Sequence, residues 1–240
     1  PQQGNQQCEN DKKQGRKMNG ENLNLEKSMQ KAILDAKDFI KIFFKNDFSG
    51  HDYFHSLRVY NLAMQIAKEE KANGNIVALA ALLHDVDDRK ISPQTHQNKE
   101  NAVDFLKSKN IPASVIAKIC KIIDEVSFSN CLVSTTIEGK CVQDADRLDA
   151  LGAVGIARAF AYGGSHNRAI FDPEILPALN MNKNEYQNHI STSINHFYEK
   201  LFLLKNLMNT NSAKKIAEKR ECFMKKYLEE FMLEWNGKDF

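Results

Sequence analysis

The sequence predicts an all-α protein, one helical bundle closed by a C-terminal pair of helices, and three observations predict it. Apolar residues recur at spacings of three and four through most of the chain. No stretch of two-residue alternation is long enough for a half-buried strand. The punctuation between periodic segments (Gly74, Ser92-Pro93, Pro112, Gly152, Asn209–Ser212) is that of helix ends. With 240 residues, 42% of them hydrophobic and 27% charged, the chain can bury a sizeable core.

Residues 1–24 hold almost nothing apolar and cannot offset the entropy of ordering, so a flexible tail is expected there, with one folded domain over 25–240. Beyond Leu25, the residues Ile33, Phe39, Ile40, Phe43 and Phe44 form one apolar stripe. After the turn Phe48-Ser49-Gly50 a second helix buries Val59, Leu62, Ala63, Ile66 and Ala67, and Gly74 is expected to end it. Residues Ile76–Leu83 are apolar on nearly every side. Periodicity alone would suit a buried strand, but the Ala and Leu content and the length favour a central helix. Asp85, Asp87, Asp88, Arg89 and Lys90 then form a polar mouth. Amphipathic helices are expected over Asn98–Lys107 and Pro112–Val126, with Pro112 in a first turn. Thr135–Ala161 reads as helix broken near Gly152, and Tyr162-Gly163-Gly164 as the start of a loop through residue 182. Lys183–Met208 and Ser212–Trp235 read as the closing antiparallel pair.

Composition narrows the function. Lys+Arg 33 against Asp+Glu 31 gives a formal charge of +2, too mild for nucleic acid as the principal partner. The basic C-terminal run Lys214–Lys226 is interleaved with Glu218 and Glu221, which reads as a solvated helix face. No apolar run approaches the roughly 20 residues of a bilayer-spanning helix. The opening residues lack the apolar stretch of a secretory signal. Five scattered cysteines without a CxxC pair exclude a zinc ribbon and suit reduced thiols in the cytoplasm. A homodimer is compatible with the sequence.

The chemistry sits in a mixed set of nitrogen and oxygen donors. His55 lies near a helix start, His84-Asp85 ends the buried helix, and Asp146 stands within Gln143-Asp-Ala-Asp-Arg-Leu-Asp149. Two imidazoles and two carboxylates suit one borderline or hard divalent ion, Mn²⁺ first, with Mg²⁺, Fe²⁺ and Zn²⁺ compatible. Consecutive His and Asp point about 100° apart on a helix, so both reach one ion only at a helix end. Polar ligands directly after an apolar helix are costly to bury unless something binds them.

Three blocks carry a family resemblance. Gly50-His-Asp-Tyr-Phe-His55-Ser-Leu-Arg58-Val59, Ala80-Ala-Leu-Leu-His84-Asp85 and Asp144-Ala-Asp146-Arg-Leu resemble the H…HD…D signature of HD-domain metal-dependent phosphohydrolases. Within that superfamily, Leu83–Asp88, Ser134–Lys140 and Leu148–Gly164 are similar to the branch of bacterial nucleoside-triphosphate pyrophosphohydrolases. The resemblance implies His55, His84, Asp85 and Asp146 as metal ligands, with Asp85 also catalytic, and hydrolysis of a nucleoside triphosphate to monophosphate and pyrophosphate. Only His96 lies between the HD pair and Asp146, which favours one metal and disfavours cyclic-dinucleotide hydrolysis. A phosphatase acting on nucleoside monophosphates or other small phosphomonoesters is the alternative, and a non-catalytic nucleotide-sensing module a second.

Around the ligands, Asp88 follows Asp85 by one helical turn and is expected to orient or deprotonate the attacking water, with Asp87 as its substitute. An exposed acidic helix end paired with Arg89 and Lys90 is the plainer reading. Arg58, Lys90 and Arg147 are candidate phosphate clamps. Arg147 points away from Asp146 and could instead make a structural ion pair. His96 is a candidate for reaching the leaving group, and Asp149 for orienting a ligand histidine. Asp144 reads as solvated or capping, His51 as a turn cap, and His166, His189 and His196 as structural. Phe128 and Tyr162 could stack on a base, although core packing is the commoner use of aromatics.

Overall fold

The structure, a computed structural model, describes residues 2–45, 52–126, 133–179, 181 and 189–239, with side chains from residue 22 onward. The fold is all-α, and there is no strand among the described residues.

Helix α1 (Gln2–Phe43) crosses the sequence boundary at residue 25 as one helix. From Met29 on, its stripe of Ala32, Ala36, Ile40 and Phe44 is buried. The turn Phe48–Gly50 and His51 lie outside the described residues. Helix α2 (Tyr53–Glu69) is started by Asp52, whose carboxylate accepts the His55 backbone N–H at 2.7 Å. That cap places the first turn of α2, and with it the His55 side chain. Gly74 does not end α2. It opens α3 (Gly74–Leu83), because Asn73 Oδ1 accepts the N–H groups of Asn75 and Ile76.

Every residue of α3 from Val77 to Leu83 is buried, and the helix touches α1, α2 and the later helices α5 (Ala113–Val126) and α6 (Ile137–Asp149). A helix apolar on all sides has this central place as its stable location. It stops at the HD pair, so the buried core delivers His84 and Asp85 directly to the site. Helices α4 (Glu100–Ser108) and α5 (Ala113–Val126) follow near their expected places. Ser127 and Phe128 lie outside the described residues.

Helix α6 (Ile137–Asp149) is capped by Thr136, and α7 (Gly152–Ser165) follows after the expected break. At Gly163, α7 continues where a loop was expected. A Cβ there would lie 2.1 Å from Ser193 Oγ, so the glycine serves close packing against the following segment and not a turn. The first member of the C-terminal pair is also revised. Among its described residues it is a short helix α8 (Asn195–Glu199), a break at Lys200 (φ −139, ψ −54), and a 3₁₀ helix Leu201–Leu207. Helix α9 (Asn211–Trp235) closes the fold, with Thr210 as N-cap.

Two anchors press this C-terminal part onto α6. Asp144 is neither solvated nor a cap of its own helix: buried, it accepts the N–H groups of Asn209 and Thr210, the Asn209 amide and the Thr210 hydroxyl, all at 2.8 Å. Arg147 donates to the Leu207 carbonyl at the end of the 3₁₀ helix. On α9, Glu221 pairs with Lys205 and Lys225, consistent with a salt-bridge-laced face. No disulfide forms among the described residues. Cys141 is buried, Cys120 half-buried and Cys222 exposed, and burial with nearby acidic charges pushes the Cys141 thiol up to about 12.

Candidate metal centre

Four elements converge at the end of α3. His55 comes from α2, His84 from the end of α3, Asp85 from the turn after it and Asp146 from α6. Donor atoms of His55, His84 and Asp146 lie within 4.8 Å of one another. Asp85 Oδ2 is 3.3 Å from His55 Nε2 and 3.3 Å from His84 Nε2. Asp146 Oδ1 is 3.4 Å from His55 Nε2 and 3.9 Å from His84 Nε2.

The ring nitrogens are oriented for ligation. His84 Nδ1–H donates to the Ala81 carbonyl at 2.8 Å, leaving the Nε2 lone pair turned toward the carboxylates. Nε2 is buried and makes no hydrogen bond. A bare, buried imidazole nitrogen is costly without a partner, and a cation among these carboxylates supplies one. His55 Nδ1–H donates to Asp149 Oδ2 at 2.8 Å, which likewise aims Nε2 at Asp85 and Asp146. The donor set therefore fits a divalent ion.

Electrostatics agree. Burial alone would lower the His55 pKa, but bonds to Asp146, Asp149 and Asp85 outweigh it and raise it well above the usual histidine range. His84 is raised in the same way, burial being overcome mainly by Asp85. The carboxylates of Asp85, Asp146 and Asp149 gathered on two imidazoles make this a site of negative potential. Side-chain exposure rises from 1% at His55 and 3% at His84 to 9% at Asp85 and 28% at Asp146, so the cluster opens to solvent on the Asp146 side.

The other sequence-predicted residues divide. Asp149 lies against the histidine, and also accepts Arg58 Nε at 2.7 Å, Arg58 Nη2 at 3.0 Å and Arg158 Nη1 at 2.7 Å. Burial opposes its charge, yet these partners hold its carboxyl far below the usual range. Arg58, expected on phosphate, is thus engaged with Asp149 through two bonds. Asp87 is structural: buried, it accepts the Asn101 and Ala102 N–H groups at 3.2 and 2.9 Å and caps α4 from a distance, since Lys99 offers no side-chain cap. Asp88 Oδ1 accepts the Lys90 N–H at 2.8 Å, and its N–H donates to the Asp85 carbonyl. His96 Nδ1–H donates to the Asp87 carbonyl, and Arg147 is bound away from the cluster at Leu207. Tyr162 stacks on His166 with centroids 3.8 Å apart, away from the core.

Arg158 is the residue at this site that the sequence reading did not assign. Its signal was present: it is the sole basic residue of α7.

Comparison with known proteins places this geometry. The HD domain family model matches residues 52–151, which contain all four converging side chains. YpgQ of Bacillus subtilis is 33% identical over 213 residues, covering 87% of this chain and 96% of that protein. This chain is a member of the HD superfamily. An HD-superfamily hydrolase from Bacillus thuringiensis is 41% identical, with a TM-score of 0.70 over 87% of this chain and 98% of that one. A protein from Lactobacillus plantarum is also 41% identical, with a TM-score of 0.74 over 85% of this chain and 97% of that one. YpgQ has also been solved in complex with ADP; that structure is 31% identical, with a TM-score of 0.70, covering 89% of this chain and all of that one. As an HD-superfamily hydrolase, the protein is a metal-dependent phosphohydrolase, and divalent metal is its cofactor. Among the described residues no helix is long and apolar enough to cross a membrane.

Proposed function

We propose that this HD hydrolase splits a nucleoside triphosphate into the monophosphate and pyrophosphate, with one divalent ion, Mn²⁺ by preference, held by His55, His84, Asp85 and Asp146. The observation that carries the metal assignment is the buried His84 Nε2, which makes no hydrogen bond and faces two carboxylates. The nucleotide assignment is supported by the relative solved with ADP. Unpaired thiols at Cys120, Cys141 and Cys222 suit a reducing compartment, in keeping with a cytoplasmic enzyme.

When bound, the ion would offset phosphate charge and make a water acidic enough to deprotonate near neutral pH. The chain does the rest. Asp149 holds His55 in one tautomer and orientation. Asp88, one turn beyond Asp85, takes a proton from the attacking water on the carboxylate oxygen not used by Lys90 N–H. Water adds to the α-phosphorus, the α–β bridging bond breaks, and pyrophosphate leaves with the electron pair. Lys90, five residues after Asp85, would help hold the phosphates.

The test is a product assay on metal-stripped protein reloaded with Mn²⁺, offered nucleoside tri-, di- and monophosphates, with Asp85→Ala alongside. Pyrophosphate and monophosphate from triphosphates, lost in the variant, is the expected result. Orthophosphate released from monophosphates alone would replace this reading with a phosphatase.

A further inference from the structure

The corner between α6 and α7 brings Arg158 up behind the metal centre. A Cβ at Gly155 would stand 2.2 Å from the Ala150 carbonyl oxygen, so α7 lies closer to the end of α6 than any residue with a side chain would allow there. Arg158 follows Gly155 by three residues and shares its face of α7. Helix α9 holds the same corner, because Arg220 donates to the carbonyl of Leu148, the residue before Asp149.

Arg158 meets a buried carboxylate that is already bonded to a ligand. The Asp149 side chain is 2% exposed and that of Arg158 28%, so the guanidinium reaches inward from the surface. Arg158 Nη1 donates to Asp149 Oδ2 at 2.7 Å, and the same oxygen accepts His55 Nδ1–H at 2.8 Å. Arg58 donates to both oxygens, at 2.7 and 3.0 Å.

These bonds differ in what they can fix. Arg58 stands three residues after His55 on α2, so the bonds of both tie the carboxylate to one helix. Arg158 comes from α7 and ties it to another. A carboxylate held from one helix can tilt with that helix. Gripped at Oδ2 from a second direction, it keeps that oxygen in place, and with it the imidazole bonded there.

We propose that Arg158 is a positioning residue for the metal centre: through Asp149 Oδ2 it fixes the ring of His55 with Nε2 directed at Asp85 and Asp146. This rests on the reading of His55 as a metal ligand. It adds a residue outside the H…HD…D set, carried by the helix that follows the last ligand, and makes metal affinity depend on how α7 is docked. Arg158 then acts on the metal site and not on the phosphates.

The test uses the full-length protein and follows Mn²⁺ binding by the loss of the free ion's electron paramagnetic resonance signal. Arg158→Gln is expected to weaken Mn²⁺ about tenfold, as for loss of a partner behind a ligand histidine. Arg158→Lys, which keeps a charge at Oδ2, should stay within about threefold of the wild type. In an Asp149→Asn background, Arg158→Gln should add less than about twofold, because the route to His55 is already cut. Calorimetry with inorganic pyrophosphate at saturating Mn²⁺ should give the wild-type affinity in Arg158→Gln. Unchanged Mn²⁺ affinity, or a loss as large in the Asp149→Asn background as in the wild type, would overturn the proposal. So would weakened pyrophosphate with Mn²⁺ unaltered, which would make Arg158 a phosphate contact. If Arg158→Gln does not fold, Arg158→Met keeps the unbranched stem and is read by the same outcomes. His55→Ala tests the ligand reading separately. Wild-type Mn²⁺ affinity in that variant would remove the premise, whereas affinity lost there and kept in Arg158→Gln would overturn the role of Arg158 alone.

Discussion

Asp149 Oδ2 lies 2.8 Å from Nδ1 of His55, a residue 94 positions earlier in the chain. Through that bond the last residue of α6 decides which nitrogen of a histidine on α2 is turned toward Asp85 and Asp146. The same carboxylate holds Arg58 and Arg158, so one side chain joins α2, α6 and α7 directly behind the cluster.

Asp149→Asn therefore weakens metal binding without touching a ligand atom. An amide can keep the shape but does not favour the Nδ1–H tautomer of His55, and it leaves two guanidinium groups without their counter-charge. The expected loss of affinity is about 10- to 100-fold. Metal titration followed by elemental analysis checks it. Unchanged affinity would mean that His55 is oriented by α2 alone.

His84→Ala should abolish the stabilisation that metal provides. Metal at about 100 times its Kd stabilises the wild type by about 2.7 kcal/mol, and thermal melting of the variant should show no metal-dependent shift. A shift of wild-type size in the variant would dissociate His84 from the site.

Metal binding should release protons. His55 is held well above the usual histidine range when metal-free, and ligation at Nε2 requires that proton to leave. Affinity should accordingly rise as pH increases through the neutral range. Calorimetry in buffers of differing ionisation enthalpy reads the release directly, and a buffer-independent heat would contradict it.

Asp87 and Asp88 stand side by side but should fail differently. Asp87→Ala removes a buried cap of α4 and should cost about 1–2 kcal/mol of stability, with metal content preserved. Asp88→Ala should leave stability within about 0.5 kcal/mol and lower kcat by about 10²- to 10⁴-fold. Denaturant melts alongside product assays separate the two.

Stability should fall as pH drops from about 6.5 toward 4 through His196. Its folded pKa lies below the unfolded value, so in that window the unfolded chain binds the proton and the fold does not. The loss approaches roughly 3 kcal/mol once the pH is below both values. His196→Gln should flatten this part of the pH–stability curve.

The sequence alone determined the helical class, the central place of α3 and the polar side chains that converge at its end. Those are local properties: apolar period, Ala and Leu content, and polar residues set directly after a buried helix. It also held the family motifs, in order and complete. Element ends were less legible where glycine had more than one use. Gly74 begins a helix because Asn73 caps it, and Gly163 sits within one because Ser193 packs on it.

The tertiary structure decided which neighbouring polar residue has which partner. Asp87 and Asp88, or Asp146 and Arg147, are adjacent in sequence but turn to different surroundings, and a side chain's partner depends on elements far along the chain. Arg58 meets Asp149 across 91 residues, and Arg147 meets the Leu207 carbonyl across 60. Spacing along one helix shows which face a residue occupies. Only the packing of α2, α6, α7 and the α8 segment shows what stands opposite that face.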